Sequence, residues 1–148
     1  MAERPDIRLT PDEQAAYLRA NLKCALATLD QDGFPHLVAM NFACRDGALY
    51  MTSYGKAQKV VNIRRNPKVA VMVEAGAAYA ELKGVMVRGH CELSDEPEAV
   101  NQVFAWMAED RGEPRAPGSA RSAPKRVVLK IVPDKTVTWD HGKLGGRY

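Results

Sequence analysis

The spacing of apolar and polar positions changes several times along the chain, and each change marks an element. Lys23 to Leu29 and His36 to Phe42 are short apolar runs of strand character, and the Asp-Gln-Asp-Gly-Phe-Pro segment between them is turn chemistry, so the pair predicts a hairpin. Arg45-Asp46-Gly47 is a second turn that brings back a strand beginning at Ala48 and stopping at Thr52-Ser53. Beyond Gly55 the period becomes helical: over Lys56 to Arg65, the residues Ala57, Val60, Val61 and Arg64 fall at i, i+3, i+4 and i+7. Asn66-Pro67 ends that helix, because a residue before proline is pushed out of the αR region. Val69 to Glu74 and Ala80 to Leu93 read as further strands, the second long enough to bend or break near Gly84 or Gly89. Val127 to Val132 and Thr136 to Trp139 read as two more.

Two further helices carry their own signals. Thr10-Pro11-Asp12-Glu13 places threonine as N-cap, proline at the first helical position and glutamate at the capping-box position of a helix ending near Ala20. Glu96 to Glu109, capped by Ser94 or Asp95, sets Val100, Val103, Phe104 and Met107 on one stripe that should cover an open face or end of the sheet. Arg111 to Pro124 is rich in proline, glycine, alanine and serine and reads as a loop. Six or seven strands in sequential hairpins with few short helices predict a mainly β fold, an antiparallel barrel closed on itself so that no edge is left exposed. A barrel this small is filled by its own side chains, so a ligand belongs at its rim or between protomers.

Length and composition narrow the reading. The 148 residues fit one domain, 1–148, large enough for a core without staples. Cys24, Cys44 and Cys91 are odd in number, show no CxxC spacing and lie in or beside apolar runs, which predicts buried reduced thiols and an intracellular protein. The first 21 residues are polar and no run of about 18 apolar residues occurs, so neither signal peptide nor membrane span is expected and the location is cytoplasmic. The net charge of +3 is unevenly spread, with one basic cluster at Lys56, Lys59, Arg64, Arg65 and Lys68 and another between Arg111 and Lys130. These clusters favour an anionic partner, but no nucleic-acid motif accompanies them, and nucleic acid is not expected.

The candidate chemistry sits in the corner from Ala48 to Lys59. Thr52 and Ser53 end a strand just before a helix, whose N-terminal N–H groups and dipole favour a phosphate or carboxylate flanked by Lys56 and Lys59. The alternative is that the hydroxyls cap the helix and the lysines are solvated. There is no GxSxG, HExxH or paired-cysteine motif, and no general acid or base is assigned. His36, His90 and His141 form no cluster and read as surface or hydrogen-bonded residues rather than ligands of a metal or heme.

In this order the elements resemble the pyridoxamine 5′-phosphate oxidase-like split β-barrel superfamily, and within it the flavin/deazaflavin (F420)-dependent oxidoreductases. The resemblance is carried by ALATLDQDGFPHLVAMNF at Ala25 to Phe42, LYMTSYGKAQKVVNIRRNPKVAVMVE at Leu49 to Glu74, LKGVMVRGHCEL at Leu82 to Leu93 and TWDHGKLGG at Thr138 to Gly146. It implies a split barrel and a homodimer with two cofactor sites in the groove between protomers. It also implies FMN or F420 as cofactor, the WDHGKLGG tail favouring F420, and hydride exchange with a small organic acceptor. A flavin, F420 or heme carrier or sensor without turnover is the alternative it leaves open. By the same resemblance Thr52 and Lys59 hold the cofactor phosphate with Ser53, Lys56 and Asn62 nearby, Val38, Ala39, Met40 and Asn41 line the ring, and Trp139 covers it from the partner chain. The extra carboxylates of F420 would fall to Arg64, Arg65 and Lys68 or to the basic loop, and Ala57 stands where several F420-binding relatives carry another basic residue.

Overall fold

A threonine and a glutamate three residues apart start the first helix. A computed structural model describes residues 3–113 and 123–146. In α1 (Pro11–Ala20) the Thr10 hydroxyl accepts from the Glu13 amide at 3.2 Å while Glu13 Oε1 accepts from the Thr10 amide at 3.0 Å, a complete capping box. The same Glu13 oxygen accepts from Lys143 Nζ at 2.7 Å, tying the helix to the tail of the chain. The Lys143 bond, followed by the Thr10 amide, holds the Glu13 carboxyl down at about 2 against an ordinary 4.5. A carboxyl whose pKa is lower in the folded state contributes stability that is complete above the unfolded value and is lost as pH falls toward the folded one. Glu13→Gln is therefore expected to flatten the fall in melting temperature between pH 4.5 and 2, measured against the parent by thermal denaturation.

The strands are β1 (Lys23–Leu29), β2 (Pro35–Asn41), β3 (Ala43–Arg45), β4 (Ala48–Tyr54), β5 (Lys68–Ala75), β6 (Lys83–Ser94) and β7 (Arg126–Asp140). All pair antiparallel in one sheet of order β2-β1-β5-β6-β7-β4-β3. The β3–β4 connection is the expected tight turn, with Asp46 at φ 51° and Gly47 at φ 79°, the pair of left-handed residues a two-residue hairpin demands. β3 itself is a short strand of its own, which the sequence pattern does not separate. β4 runs on past Thr52-Ser53 to Tyr54, so neither hydroxyl caps a helix. A turn in which the Ala57 amide donates to the Tyr54 carbonyl at 3.1 Å delays α2 to Gln58–Arg65, later than the predicted start at Lys56. Its inward face is Val60 and Ile63 with Asn62, while Val61, expected on that face, is exposed.

The sheet curls but its ladder does not close, which corrects the expectation of a closed barrel. β2 and β3 are the two edges, and they are consecutive in the chain, separated only by Phe42. Phe42 is buried in the core, and its amide donates to the Leu22 carbonyl at 3.2 Å, which extends the β1–β2 pairing by one residue and leaves no ladder between β2 and β3. The result is a split antiparallel barrel filled by Leu26, Leu49, Met51, Val71, Val87 and Leu129, among others.

β7 is one strand where the sequence suggests two. Pro133 lies opposite Gly89 and Lys135 opposite Arg88, so Asp134 is an extra residue bulged out of the β6–β7 ladder. A bulge tolerates the missing proline donor, and the strand continues through it. On the outer face, α3 (Pro97–Asp110) packs Val100, Val103 and Met107 over Ala43 and Val128, with Tyr50, Phe104 and Trp106 around them. Its N-cap is Glu96, without a side-chain bond, while the expected cap Ser94 accepts from the Glu96 amide at 3.3 Å. Of the predicted 111–124 loop, residues 114–122 lie outside the described ones. Among the described residues no helix is long and apolar enough to cross a membrane.

Away from α3 the outer face carries one uncovered apolar row among charged residues such as Arg88 and Glu92. Strand register aligns Ala39, Ala25, Met72, Met86 and Val137 in one row across β2, β1, β5, β6 and β7. Met72 and Val137 in this row stay 39% and 40% exposed.

Candidate functional site

Alternation along β4 turns Tyr50, Thr52 and Tyr54 to the outer face, where Tyr50 meets Trp106 of α3, and turns Leu49, Met51 and Ser53 inward. Beyond Thr52 and Tyr54 the surface falls away into a cleft of about 430 Å³. One wall is the end of β2, with Ala39, Met40 and Asn41; the opposite wall is α3, with Phe104 and Met107 followed by Arg111. The floor is Thr52, Ser53 and Tyr54 of β4 with Arg126 of β7, and α2 closes the near end with Ala57 and Lys59.

The polar groups of this cleft are incompletely matched. Lys59 has no hydrogen bond or carboxylate partner among the described residues, and the Thr52 hydroxyl likewise has none. Ala57 is the N-cap of α2 and offers no side-chain acceptor, so the amides of Gln58 and Lys59 also lack an acceptor there. Arg126 pairs across strands with Tyr54, its Cζ 4.2 Å from the centre of the Tyr54 ring and 5.4 Å from that of Phe104. Its Nε is buried without a hydrogen-bond partner. Arg111, by contrast, donates from Nε to Glu113 at 3.1 Å. Among the described residues no Asp or Glu lines the cleft. The cleft thus combines unmatched anion donors with apolar and aromatic lining residues.

Of the residues singled out from sequence, Ala39, Met40, Asn41, Thr52, Ser53 and Lys59 come together in this cleft. Val38, Lys56, Asn62 and Trp139 do not. Val38 packs inward against the core opposite Leu26, and Lys56 is exposed in the turn before α2. Asn62 is fully buried: its amide nitrogen donates to Thr28 Oγ1 at 3.0 Å and Asp30 Oδ1 at 2.8 Å, and its oxygen accepts from Gln58 at 2.8 Å. Those bonds use the whole amide to fix α2 against the end of β1, which positions Lys59 from behind. Trp139 lies over Gly84, where a Cβ would fall 2.3 Å from the indole, two residues beyond Val137 and on the same face of β7. Ser53 lines the cleft from its edge but spends its hydroxyl on the Tyr54 carbonyl at 3.2 Å.

Tyr54, Phe104, Met107, Arg111 and Arg126 also line the cleft and were not singled out. The Tyr54–Arg126 stack depends on the register between β4 and β7, which no local pattern encodes; the available signals are the stripe positions of Phe104 and Met107 and the basic run that contains Arg111 and Arg126. None of the basic residues Arg64, Arg65 and Lys68 lines the cleft, and Arg65 instead donates to the Leu29 carbonyl. The histidines lie elsewhere, and among the described residues no group of three or more His, Cys, Asp or Glu is placed to hold a metal ion. The three cysteines are free and buried, and burial pushes the Cys24 and Cys91 thiols up to about 12 and raises Cys44, so none is a thiolate at neutral pH.

The pyridoxamine 5′-phosphate oxidase family model matches residues 10–140. The chain belongs to that family. Among solved structures, the conserved hypothetical protein Rv2991 from Mycobacterium tuberculosis is similar at 36% identity, the match covering 100% of this chain and 95% of that one with a TM-score of 0.91. An F420 reductase is similar at 27% identity, covering 82% of this chain and 94% of the other with a TM-score of 0.67. An FAD-binding protein from Mesorhizobium loti is similar at 27% identity over 88% and 94% of the two chains, with a TM-score of 0.68. No curated protein matches. The family places flavin and deazaflavin binders among the neighbours of this fold.

Proposed function

We propose that the chain is an oxidoreductase that works as a homodimer, with F420 or FMN bound in this cleft and a small organic molecule as hydride acceptor. The observation that carries the reading is the set of unmatched anion donors, Lys59, Thr52 and the α2 amides, beside an apolar wall. A phosphorylated flavin or deazaflavin has the complementary halves, and when bound it supplies the hydride chemistry for which no catalytic motif is present. Lys59 and Thr52 hold the phosphate in charge-assisted and neutral hydrogen bonds, with Ser53 beside them and Lys56 outside the cleft on the turn before α2, and Asn62 fixes the helix that carries Lys59. Ala39, Met40 and Asn41 lie along the ring, with Val38 supporting them from the core, and exclude water from it.

The homodimer is supported by the uncovered apolar row on the outer face. Ala39 belongs both to that row and to the cleft, so a second copy seated on the row reaches the cleft mouth. Trp139, on the same face, covers the partner's ring in this reading. The buried reduced cysteines support a cytoplasmic location.

The reading is tested by titrating the protein with FMN and with F420 while following cofactor fluorescence, and by repeating the titration with Lys59→Ala. At least one cofactor is expected to bind at micromolar concentration or below, and the variant to lose about 1 to 3 kcal/mol, the scale of a charge-assisted hydrogen bond. Failure to bind either cofactor would sink the proposal. A bound, pre-reduced cofactor should also be oxidised faster by quinones, nitroaromatics or tetrapyrroles than the same cofactor free; no acceleration would favour a carrier.

A further inference from the structure

We infer that Arg126 is a specificity-determining residue, binding a carboxylate that the cofactor carries in addition to its phosphate; the inference rests on the cleft being the cofactor site proposed above. Four other arginines meet carboxylates, Arg8 with Asp6 at 2.7 Å, Arg45 with Asp110 at 2.9 Å, Arg19 with Asp110 at 3.5 Å and Arg111 with Glu113 at 3.1 Å, while Arg4, Arg64 and Arg88 have none among the described residues but are exposed to water. Arg126 has no carboxylate partner among the described residues, yet it is half-buried and its Nε is sealed from solvent with no acceptor. Its two terminal nitrogens have no partner among the described residues either and, unlike Nε, are not sealed, so they are the donors left for an incoming anion.

The aromatic stack decides which kind of oxygen. With its Cζ 4.2 Å from the centre of the Tyr54 ring and 5.4 Å from that of Phe104, the guanidinium is flanked by two aromatic rings that restrict its movement. A planar fork matches a planar carboxylate bidentately, which an ammonium cannot do. The two cations also come from different elements, Lys59 from the first turn of α2 and Arg126 from the start of β7. Lys59, Thr52 and the α2 amides already supply a phosphate with donors. Arg126 is then left for a second anionic group, which F420 possesses in its lactyl-glutamate tail and FMN lacks.

The test compares dissociation constants for F420 and FMN in the parent protein, Arg126→Gln, Arg126→Lys and Lys59→Ala, with a thermal melt of each to confirm folding. The parent is expected to prefer F420 by about tenfold or more, a difference of about 1.4 kcal/mol. Arg126→Gln should bring that preference to within about threefold by weakening F420, while Arg126→Lys keeps part of it and Lys59→Ala weakens both ligands alike. A parent that binds FMN as tightly as F420, a preference untouched in Arg126→Gln, or an equal loss of both ligands in that variant would each overturn the inference while leaving the cofactor site standing. A parent that binds neither overturns both.

Discussion

Asp110→Ala is expected to destabilise the fold by about 3 kcal/mol, the lower end of the cost of breaking a buried ion pair. The Asp110 side chain is 3% exposed and that of Arg45 13%, and the two meet bidentately, Arg45 Nη2 donating to Oδ1 at 2.9 Å and Nη1 to Oδ2 at 3.1 Å. Removing the carboxylate strands a half-desolvated guanidinium, which is where the cost arises. The lower end applies because Arg45 keeps its bond to the Cys44 carbonyl at 2.8 Å, Glu109 at 3.5 Å and the face of Trp106 at 5.5 Å. The effect should reach the cleft, because Asp110 anchors the C-terminal end of α3 to β3 and the preceding turns carry Phe104 and Met107 into the cleft wall. Cofactor affinity is expected to fall by about tenfold with the same substitution. Chemical denaturation and cofactor titration check the two parts. The double variant Arg45→Met, Asp110→Leu should recover most of the stability, since replacing both partners of a buried pair with apolar groups is close to neutral. An Asp110→Ala protein as stable as its parent would mean that α3 is held by its apolar face alone.

Some of this architecture is legible in the sequence because its causes are local. The capping box of α1 needs four consecutive residues, the β3–β4 turn needs Asp46-Gly47, and the β1 run from Lys23 to Leu29 coincides with the observed strand. The family resemblance adds order to these pieces and brings six cleft residues to notice. What escapes is whatever depends on register or on a distant partner. Pro133 reads locally as the end of a strand, but a bulge set against Gly89 carries β7 through it. Val61 fits a helical stripe, but α2 is rotated by the buried bonds of Asn62 so that Ile63 faces in instead. That the ladder stays open between β2 and β3 follows from the order of strands in the sheet, which no local pattern encodes. Arg126 is one cation in a basic run until its pairing with Tyr54 places it over an aromatic ring.

Gly89→Ala is expected to cost about 3 kcal/mol or more, at or beyond the top of the usual range for overpacking. A Cβ on Gly89 would lie 2.2 Å from the Val132 carbonyl oxygen, 3.0 Å from its carbon and 3.3 Å from Pro133 Cα. Every one of these atoms is main chain, so no rotamer change relieves the clash. Retreat of β7 is also blocked, because Ile131 is paired on one side with Cys91 of β6 and on the other with Leu49 of β4. The close approach exists because Asp134 is bulged out of the ladder, which draws the Val132–Pro133 backbone against β6. Gly55→Ala is the control, since a Cβ there meets nothing nearer than Val127 Cγ1 at 3.6 Å, an ordinary contact. Denaturation midpoints should separate the two variants widely, with Gly55→Ala within about 0.5 kcal/mol of the parent. The loss in Gly89→Ala should also appear in cofactor binding, because β7 carries Arg126 at its start and Val137 and Trp139 near its end. If Gly89→Ala melts with its parent, the bulge yields without breaking the ladder, and β7 is not the rigid element through which one strand positions both the cleft floor and the proposed dimer face.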